Sequence, residues 1–371
     1  MFGIDYCKKV WKRAEGKYWA KKGFSTSRFF PLKRDMKNDY KSSNLSSAQK
    51  KWAAKRGFYT YRIQQYGLTD DNYHNVISDW DYEYLYPMNH KVYQQWIENK
   101  LTMRYTLEPF KEYLPKYFYH LLKNRDVMRL MDCPQNYPAS LDGVIECIRA
   151  FGIVAAKKAR GSHGVGFYKI EANGDSFNAN GDEYSLERFK DFLLNLDDYV
   201  ITEYVKMHPL FEKLNPVSVN TIRITAINEH GNDPILPFAF LRIGTKKSGV
   251  TDNLGAGGMV CKVNVNNGVF YDAETLSNHV FTKVKEHPDT HELVEGTIPH
   301  WDEVKKGVIK ICEYMPALEW LGFDIAITED GFRIIEINRS QNLHKAFEYP
   351  PEVKGYLFRK LEQKKAKYGL H

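Results

Sequence analysis

GFDIAITEDGFRIIEIN, residues 322–338, is the stretch that decides the fold of this chain. Two apolar runs rich in isoleucine flank the turn-forming triplet Glu329, Asp330 and Gly331, and this pattern predicts an antiparallel β-hairpin. The glycine would occupy the loop position that needs a positive φ, so we expect a three-residue loop. The loop length then fixes which residues face each other across the two strands.

That register predicts one polar and one apolar face. With Thr328 opposite Phe332, Asp324 falls opposite Glu336, and Asn338 lies two residues further along the same face. The other face would carry Ile325, Ile327, Ile335 and Ile337. Carboxylates that face each other repel unless a cation lies between them, and their oxygens suit Mg²⁺, with Mn²⁺ as the alternative ion. We predict a metal site at Asp324, Glu336 and Asn338, and a solvated polar face is the competing interpretation.

A second candidate site lies in KKARGSHGVGF, residues 157–167. Lys157 ends a predicted strand, and Gly161, Gly164 and Gly166 precede the next strand. Glycine lets the backbone approach a polyphosphate closely, and Lys157 with Arg160 would supply positive charge. The segment lacks the Gly-Lys-Ser/Thr run of a Walker A loop. It predicts a phosphate-covering loop, with a plain glycine-rich hairpin as the alternative.

Length and composition place limits on the class of protein. A chain of 371 residues with 43% hydrophobic residues can bury a sizeable core and suggests two or three domains. No apolar run approaches the length needed to span a bilayer, so we expect a soluble, cytoplasmic protein. The five cysteines form no CxxC pair, which predicts reduced thiols and no zinc site.

Positive charge is concentrated near the N-terminus. Residues 1–60 hold 16 Lys/Arg against 4 Asp/Glu, or +12, which leaves −5 of the net +7 for the remainder. Between Tyr6 and about Lys22, aromatic residues alternate with lysines, and this predicts an amphipathic helix that packs on the protein or lies at a membrane interface. The basic region is either a solvated arm or a contact for an anionic partner, such as the inner face of a membrane. No nucleic-acid motif is present, so we expect no nucleic-acid partner.

The remaining pattern predicts an α+β protein. Residues 49–125 are helical in pattern, the polar stretch 35–48 predicts a loop, and short β-branched runs with turn residues follow from about residue 153. In these strands the order of motifs resembles that of ATP-grasp enzymes: the Lys157 loop, ITEYV at 201–205, NTIRI at 220–224 and the closing EIN. Together with LRIG at 241–244 and DNLGAGG at 252–258, the chain resembles more narrowly the sugar-transfer-associated ATP-grasp family over residues 95–350.

The resemblance implies an ATP-grasp fold in which two α/β subdomains hold ATP between antiparallel sheets, after a helical, basic N-terminal region. It predicts four segments: residues 1–94 for the basic region, 95–200 for the subdomain with the glycine loop, 201–350 for the subdomain with the metal site, and 351–371 for a basic C-terminal helix.

The resemblance also implies roles for individual residues. Lys100 and Lys157 would contact the α and β phosphates, and Arg223 the β and γ phosphates or an acyl phosphate, so that Arg223 and Lys157 are the predicted catalytic residues. The phosphate-covering residues would be Arg160, Gly161, Ser162, His163, Gly164 and Gly166, with His163 either a proton carrier or an ordinary loop histidine. The adenine would lie against Glu203, Tyr204 and Val205, and the metal on Asp324, Glu336 and Asn338. Candidate substrate residues are Asn220, Arg242, Asp252, Asn253 and Arg339, although Asp252 and Asn253 also suit a structural turn.

The function that the resemblance implies is an ATP- and Mg²⁺-dependent ligase. It would activate a small-molecule or saccharide carboxylate as an acyl phosphate and pass it to an amine or another nucleophile, in the synthesis or modification of a surface polysaccharide. One alternative is a phosphotransferase that acts on a sugar or small molecule. The other is a non-catalytic nucleotide-binding protein whose basic arm contacts a membrane or a nucleic acid.

Overall fold

The computed structural model describes residues 2–123, 126–161, 164–341 and 348–370, and side chains from residue 9 onward. The α-helices are α1 (Phe2–Lys21), α2 (Thr26–Ser42), α3 (Ser47–Lys55), α4 (Arg62–Tyr66), α5 (Asp79–Leu85), α6 (Gln95–Glu98), α7 (Lys100–Thr106), α8 (Leu141–Phe151), α9 (Leu186–Leu194), α10 (Pro209–Leu214), α11 (Trp301–Tyr314) and α12 (Pro351–Lys367). Among the described residues, no helix combines the length and apolarity that crossing a bilayer requires.

The strands follow the helical first quarter of the chain, which confirms the expected α+β class. They are β1 (Tyr117–Leu121), β2 (Val127–Arg129), β3 (Ile153–Lys158), β4 (Tyr168–Asn173), β5 (Ser176–Ala179), β6 (Asp182–Ser185), β7 (Tyr199–Glu203), β8 (Thr221–Ile227), β9 (Ile235–Ile243), β10 (Met259–Val263), β11 (Val269–Ser277), β12 (Val280–Lys283), β13 (Gly296–Thr297), β14 (Trp320–Thr328) and β15 (Gly331–Asn338).

The chain forms two compact units. The helical unit consists of Met1–Lys91, Ser277–Phe281 and Ser340–His371, and the sheet unit of Val92–Leu276 and Thr282–Arg339. The C-terminal helix α12 therefore belongs to the same unit as the basic N-terminal helices.

The sheet unit holds two antiparallel sheets. In the first the strand order is β2-β1-β7-β3-β4-β5-β6, and in the second β12-β11-β10-β9-β8-β14-β15, with β13 beside β11. The predicted boundary at residue 200 falls inside β7, which pairs with β1 and β3 in the first sheet. The two antiparallel sheets and the helical N-terminal region are as expected from the sequence.

The second sheet is built around β14. Every residue of β14 is buried, because β8 and β15 flank it on both sides. Helix α11 packs on this sheet through a buried face that recurs every three to four residues, formed by Trp301, Val304, Gly307, Val308, Ile311 and Cys312. At Gly307 a Cβ would lie 2.6 Å from Cζ of Phe332, so only glycine allows this close approach.

The helical unit has a core of aromatic rings. Trp19 of α1 contacts Phe24, Phe29 of α2 and Trp80 of α5 at centroid distances between 5.2 and 6.1 Å. Its contacts with Phe24 and Trp80 are edge to face, a geometry that matches the ring quadrupoles. The predicted loop over residues 35–48 is wrong for its first half, because α2 continues to Ser42. Packing of α2 on α1 and α5 overrides the polar composition of its last turns.

Candidate active site

The hairpin of β14 and β15 carries the predicted carboxylate pair, but its turn is shorter than predicted and its second strand contains a bulge. Thr328 pairs with Gly331, so the turn has two residues and the predicted three-residue loop is wrong. A bulge between Asp324 and Ile325 adds one residue to the β15 side and restores the pairing of Asp324 with Glu336. The predicted pair is therefore present because two one-residue differences cancel.

The bulge also changes the apolar face. Ile335 is only half-buried, whereas Phe332, Ile334 and Ile337 are at most 2% exposed and belong to the core. The expectation that Ile335 shares the core face is wrong. Beyond the bulge the alternation of the strand is shifted by one residue, which turns Ile334 inward instead.

Asp324 is bound by two arginines from neighbouring strands. Arg223 of β8 lies directly opposite it in the sheet and donates from Nε and from Nη2, the latter 2.9 Å from Oδ2. Arg242 of β9 approaches the same Oδ2 with Nη2 at 3.1 Å. Burial alone would raise the pKa of Asp324, but the two guanidinium groups prevail and hold that pKa below its ordinary value. Asp324 is therefore an ionised carboxylate in the interior.

Arg242 continues the network to a further buried carboxylate. Its Nε lies 3.4 Å from Oδ2 of Asp252 and 3.0 Å from the hydroxyl of Thr221. Asp252 also accepts hydrogen bonds from the backbone N–H of Thr221, at 3.0 Å, and from its hydroxyl. Burial raises the pKa of Asp252, although Arg242 and the Thr221 hydroxyl oppose this. Thr221 was not among the predicted site residues; its place in NTIR, one residue after Asn220, was the available signal.

Two lysines face the same region from the first sheet and from α7. Lys100 opens α7 after Asn99, whose side chain caps the helix, and its Nζ lies 3.1 Å from Oε1 of Glu336 and 3.1 Å from the carbonyl oxygen of Gly161. Lys157 of β3 is buried, with Nζ 5.4 Å from the ring centroid of Tyr117. Burial, together with the charge of Lys100, lowers the pKa of Lys157 to about 7, against the opposing influence of Glu336.

Tyr117 is a site residue that sequence reasoning missed. Its side chain is fully buried, and its hydroxyl has no hydrogen-bond partner among the described residues. Its ring face offers a lysine ammonium an electrostatic partner in a place where water is excluded. The helical pattern predicted for residues 49–125 is wrong at YFYHL, which forms β1, so this contact could not be expected from the sequence.

The glycine loop joins β3 to β4, as the sequence predicts. Gly164 and Gly166 have φ of +71° and +75°, and a Cβ on Gly166 would lie 2.4 Å from the hydroxyl of Tyr199. Arg160 and Gly161 are exposed at its start. Ser162 and His163 lie outside the described residues, so their predicted contacts with phosphate are not addressed.

The predicted adenine-binding segment ends β7. The carboxylate of Glu203 accepts a hydrogen bond from the backbone N–H of Lys116 at 3.1 Å. Val205 is buried, and Tyr204 lies with its ring 5.5 Å from Nζ of Lys169. The adenine-binding role of these three residues stays a prediction.

The other candidate substrate residues make contacts within the protein. Asn220 is 2% exposed; its amide nitrogen donates to the carbonyl of Phe211 at 2.9 Å, and its oxygen accepts from the backbone N–H of Gly244 at 3.0 Å. Asn253 accepts from the backbone N–H of Gly255 at 2.9 Å and so holds a turn. Arg339 pairs with Glu98 at 2.9 Å. Asn220 thus links α10 to the end of β9, and Asn253 fixes a turn. Arg242 and Asp252 are the members of this group that join the charged network.

The predicted metal ligands differ in whether their side-chain oxygens already accept hydrogen bonds. Both oxygens of Asp324 accept from guanidinium groups, and Nδ2 of Asn338 adds a further donor at 3.1 Å. Among the described residues, Oε2 of Glu336 and Oδ1 of Asn338 have no recorded partner. No cluster of three His, Cys, Asp or Glu side chains suited to a metal occurs there either. Glu336 and Asn338 therefore offer the hard oxygen donors that Mg²⁺ prefers, whereas Asp324 must give up an arginine to join them.

The charged side chains form two groups that meet in the hairpin. Lys100 pairs with Glu336, Arg223 and Arg242 both pair with Asp324, and Arg242 also pairs with Asp252. Asp324 and Glu336 are opposite each other in the strand register. With Lys157 included, four cationic side chains accompany three carboxylates. A bound polyphosphate, with several negative charges in a row, would favour the protonated form of Lys157 and would match the resulting excess of cationic side chains.

A sequence comparison agrees with this geometry. The family described as sugar-transfer associated ATP-grasp matches residues 80–348, which is more than half of the chain. The chain belongs to the sugar-transfer-associated ATP-grasp family. The comparison with curated proteins found no match.

Solved structures of ATP-grasp proteins are similar to this chain at low identity. D-alanyl-alanine synthetase A from Vibrio cholerae is 13% identical, with 75% of this chain and 68% of that chain covered and a TM-score of 0.43. D-alanine–D-alanine ligase from Bacillus anthracis is 10% identical, with coverages of 75% and 70% and a TM-score of 0.36. The ATP-grasp ligase PsnB, complexed with a minimal precursor, Mg and ADP, is 12% identical, with coverages of 74% and 62% and a TM-score of 0.38. This chain spans less than two thirds of the length of PsnB.

Proposed function

We propose that this protein is an ATP-dependent ligase that activates a carboxylate as an acyl phosphate and transfers the acyl group to an amine. The observation that carries the proposal is the network of Arg223 and Arg242 around the ionised, buried Asp324, with Lys100 and Lys157 beside it. Such an arrangement is ordered before the substrate arrives, and fixed charges of this kind stabilise negative charge that develops during phosphoryl transfer.

The reaction needs two balanced steps. A carboxylate oxygen attacks the γ-phosphorus of ATP, and the bond to the β–γ bridging oxygen breaks, so that an acyl phosphate and ADP form. The amine nitrogen then attacks the acyl carbon, phosphate leaves with the carbon–oxygen bond electrons, and the nitrogen loses a proton to solvent. Neither step requires a protein nucleophile.

The side chains of the network have separate roles in this proposal. Lys100 and Lys157 bind the α and β phosphates, and the loop with Gly164 and Gly166 covers them. Arg223 contacts the γ-phosphate and then the acyl phosphate, because its planar guanidinium fork matches the equatorial oxygens of a transferring phosphoryl group. To do so it shares its donors between Asp324 and the ligand.

Mg²⁺ would be held by Glu336 and Asn338, with Asp324 as a further oxygen donor, and when bound it offsets phosphate charge. Arg242 keeps its contacts with Asp252 and Thr221 and does not bind the ligand. The family description associates these proteins with sugar transfer, and on that basis we propose a saccharide or small-molecule carboxylate as substrate and a surface polysaccharide as the product being made or modified.

The test uses purified full-length protein with ATP, Mg²⁺ and a panel of uronic acids and amino acids. ADP release that depends on a carboxylate, with hydroxylamine trapping the activated acyl group as a hydroxamate, is the expected result. Glu336→Gln should abolish it, and Glu329→Gln, an exposed glutamate in the turn of the same hairpin, should not.

Two other outcomes would replace the proposal. ADP release without hydroxamate, together with a phosphorylated sugar, would indicate a phosphotransferase. Failure to bind ATP in the presence of Mg²⁺ would indicate a non-catalytic protein.

A further inference from the structure

Helix α1 carries an apolar stripe that faces away from the core of its own unit. Val10, Trp11 and Tyr18 are 46%, 77% and 55% exposed, and Ala14 is exposed between them. Their spacing of three, four and seven residues places them along one face of the helix. A tryptophan that is three-quarters exposed is unusual for a residue of its size and apolar area.

The opposite side of α1 is the one that holds it in place. Trp19 packs on Phe24, Phe29 and Trp80, and Gly16 is buried with its Cα facing the ring of Phe30. Glu15 pairs with Lys33 of α2. The helix is therefore anchored by one face, and its exposed stripe is a stable feature of the unit.

Basic side chains border the stripe. Arg13 and Lys17 are exposed and lie next to Val10 around the helix, and Lys21 is exposed one turn beyond Lys17. Lys9 is exposed and follows Arg13 around the helix, away from the stripe, whereas Lys12 lies on the anchoring side, 5.1 Å from the ring centroid of Phe30. The surface as a whole combines tryptophan, tyrosine and small aliphatic residues with a positive flank.

We propose that this face of α1 binds the surface of an anionic lipid bilayer, with Trp11 and Tyr18 at the level of the headgroups. Both rings have an apolar body and one polar group, which is the property that enriches them at membrane–water interfaces. The neighbouring lysines and arginine complement the negative potential of anionic headgroups. The helix would lie along the surface without entering the hydrocarbon region, in agreement with its many charged residues.

The same features argue against other occupants. A second copy of the chain would bring its own basic flank against this one, and like charges oppose that contact. Single-stranded nucleic acid needs ring faces on which bases stack in succession, whereas half of this stripe is the aliphatic pair Val10 and Ala14.

The experiment is flotation of the full-length protein with two kinds of vesicles, phosphatidylcholine alone and an equal mixture of phosphatidylcholine and phosphatidylglycerol. We expect binding to the mixed vesicles only, weakened by salt. Trp11→Ala should lower the partition coefficient about tenfold, since the loss of one large ring from the membrane interface weakens binding by a factor on this order. Trp11→Phe should restore most of it.

The control is Tyr105→Ala, which removes a tyrosine that is 59% exposed on α7 of the sheet unit and should leave binding unchanged. Arg13→Glu with Lys17→Glu should abolish binding to the mixed vesicles. Trp11 is exposed, so thermal unfolding of Trp11→Ala should match the original protein, and loss of binding is then not loss of folding. Equal binding to both kinds of vesicle, or binding to neither, would overturn the proposal. So would unchanged binding of Trp11→Ala. The proposal would also fail if sedimentation showed that the original protein is a dimer and that Trp11→Ala is a monomer.

Discussion

Replacing Lys157 by methionine should stabilise the protein at neutral pH while it removes nucleotide binding. Methionine keeps the apolar stem of the side chain but not the ammonium group, which is buried against the ring of Tyr117. Burial, followed by the charge of Lys100, lowers the pKa of Lys157 from 10.5 to about 7. That displacement corresponds to about 5 kcal/mol by which the folded state disfavours the charged lysine.

The direction of the pH dependence follows from the number of protons that the folded and unfolded states bind. Between pH 7 and 10.5 the unfolded chain holds a proton on Lys157 that the folded protein has largely lost. Unfolding therefore takes up a proton, and the destabilisation is fully present below pH 7 and disappears as the pH rises to 10.5. Lys157→Met should be more stable than the original protein by several kcal/mol at pH 7, on the order of the same 5 kcal/mol, and the difference should vanish near pH 10.5.

The assay is urea unfolding followed by circular dichroism at several pH values in this range. Lys158→Met is the matched control, because Lys158 is the next residue of β3 and is exposed, and it should show no such pH-dependent gain. A Lys157→Met protein that is less stable at pH 7, or whose difference from the original does not depend on pH, would refute the reasoning. Calorimetric titration with ATP should show loss of binding in Lys157→Met and retention in Lys158→Met.

Three further results are expected. ATP binding just above pH 7 should be accompanied by uptake of a proton, because a nearby polyphosphate favours the charged form of Lys157. Calorimetry in buffers of different ionisation enthalpy measures the number of protons taken up, and Lys157→Met should abolish the uptake. Asp324→Asn should lower the free energy of unfolding by about 3 kcal/mol, since Arg223 loses its anionic partner and Arg242 keeps only Asp252. The exposed Asp330→Asn in the same hairpin should lower it far less, and equal urea midpoints for the two variants would contradict the network. Because the pKa of Asp324 is held below its ordinary value, its stabilisation should be fully present above the ordinary carboxyl pKa and should be lost as the pH falls from there through the lowered pKa. Gly166→Ala should weaken ATP binding about tenfold, because a Cβ at a positive φ costs on the order of 1–2 kcal/mol. The added Cβ would also clash with the hydroxyl of Tyr199. Unchanged affinity for ATP would show that this loop does not cover the nucleotide.

Much of the hairpin could be predicted, because strand alternation and turn composition are local properties. The alternation predicts that Asp324 lies opposite Glu336, which is correct, but the predicted loop is one residue longer than the observed turn. A bulge leaves no clear signal in a short sequence, since it depends on how the strand fits its neighbours on both sides. The assignment of Ile335 to the core failed for the same reason.

The buried polar residues were the hardest to interpret from sequence. Asn220 lies in a motif that suggests ligand binding, but its amide holds Phe211 and Gly244 together in the interior. Tyr117 lies in a stretch whose pattern predicts helix, yet it belongs to β1 and lies against the candidate catalytic lysine. A polar side chain gains its role from the partner that satisfies its hydrogen bonds, and that partner is distant in the chain.

The sequence alone determined the α+β class, the antiparallel hairpin, the glycine loop between two strands, the basic helical N-terminal region and the family. These depend on residue periodicity, on turn chemistry and on the order of motifs, all of which are local or can be read in order along the chain. Only the tertiary structure decided that Arg223 and Arg242 share Asp324, that Lys100 reaches Glu336, and that Lys157 is desolvated. Charge pairing and burial act through space, and they are set by which strands become neighbours in the folded sheet.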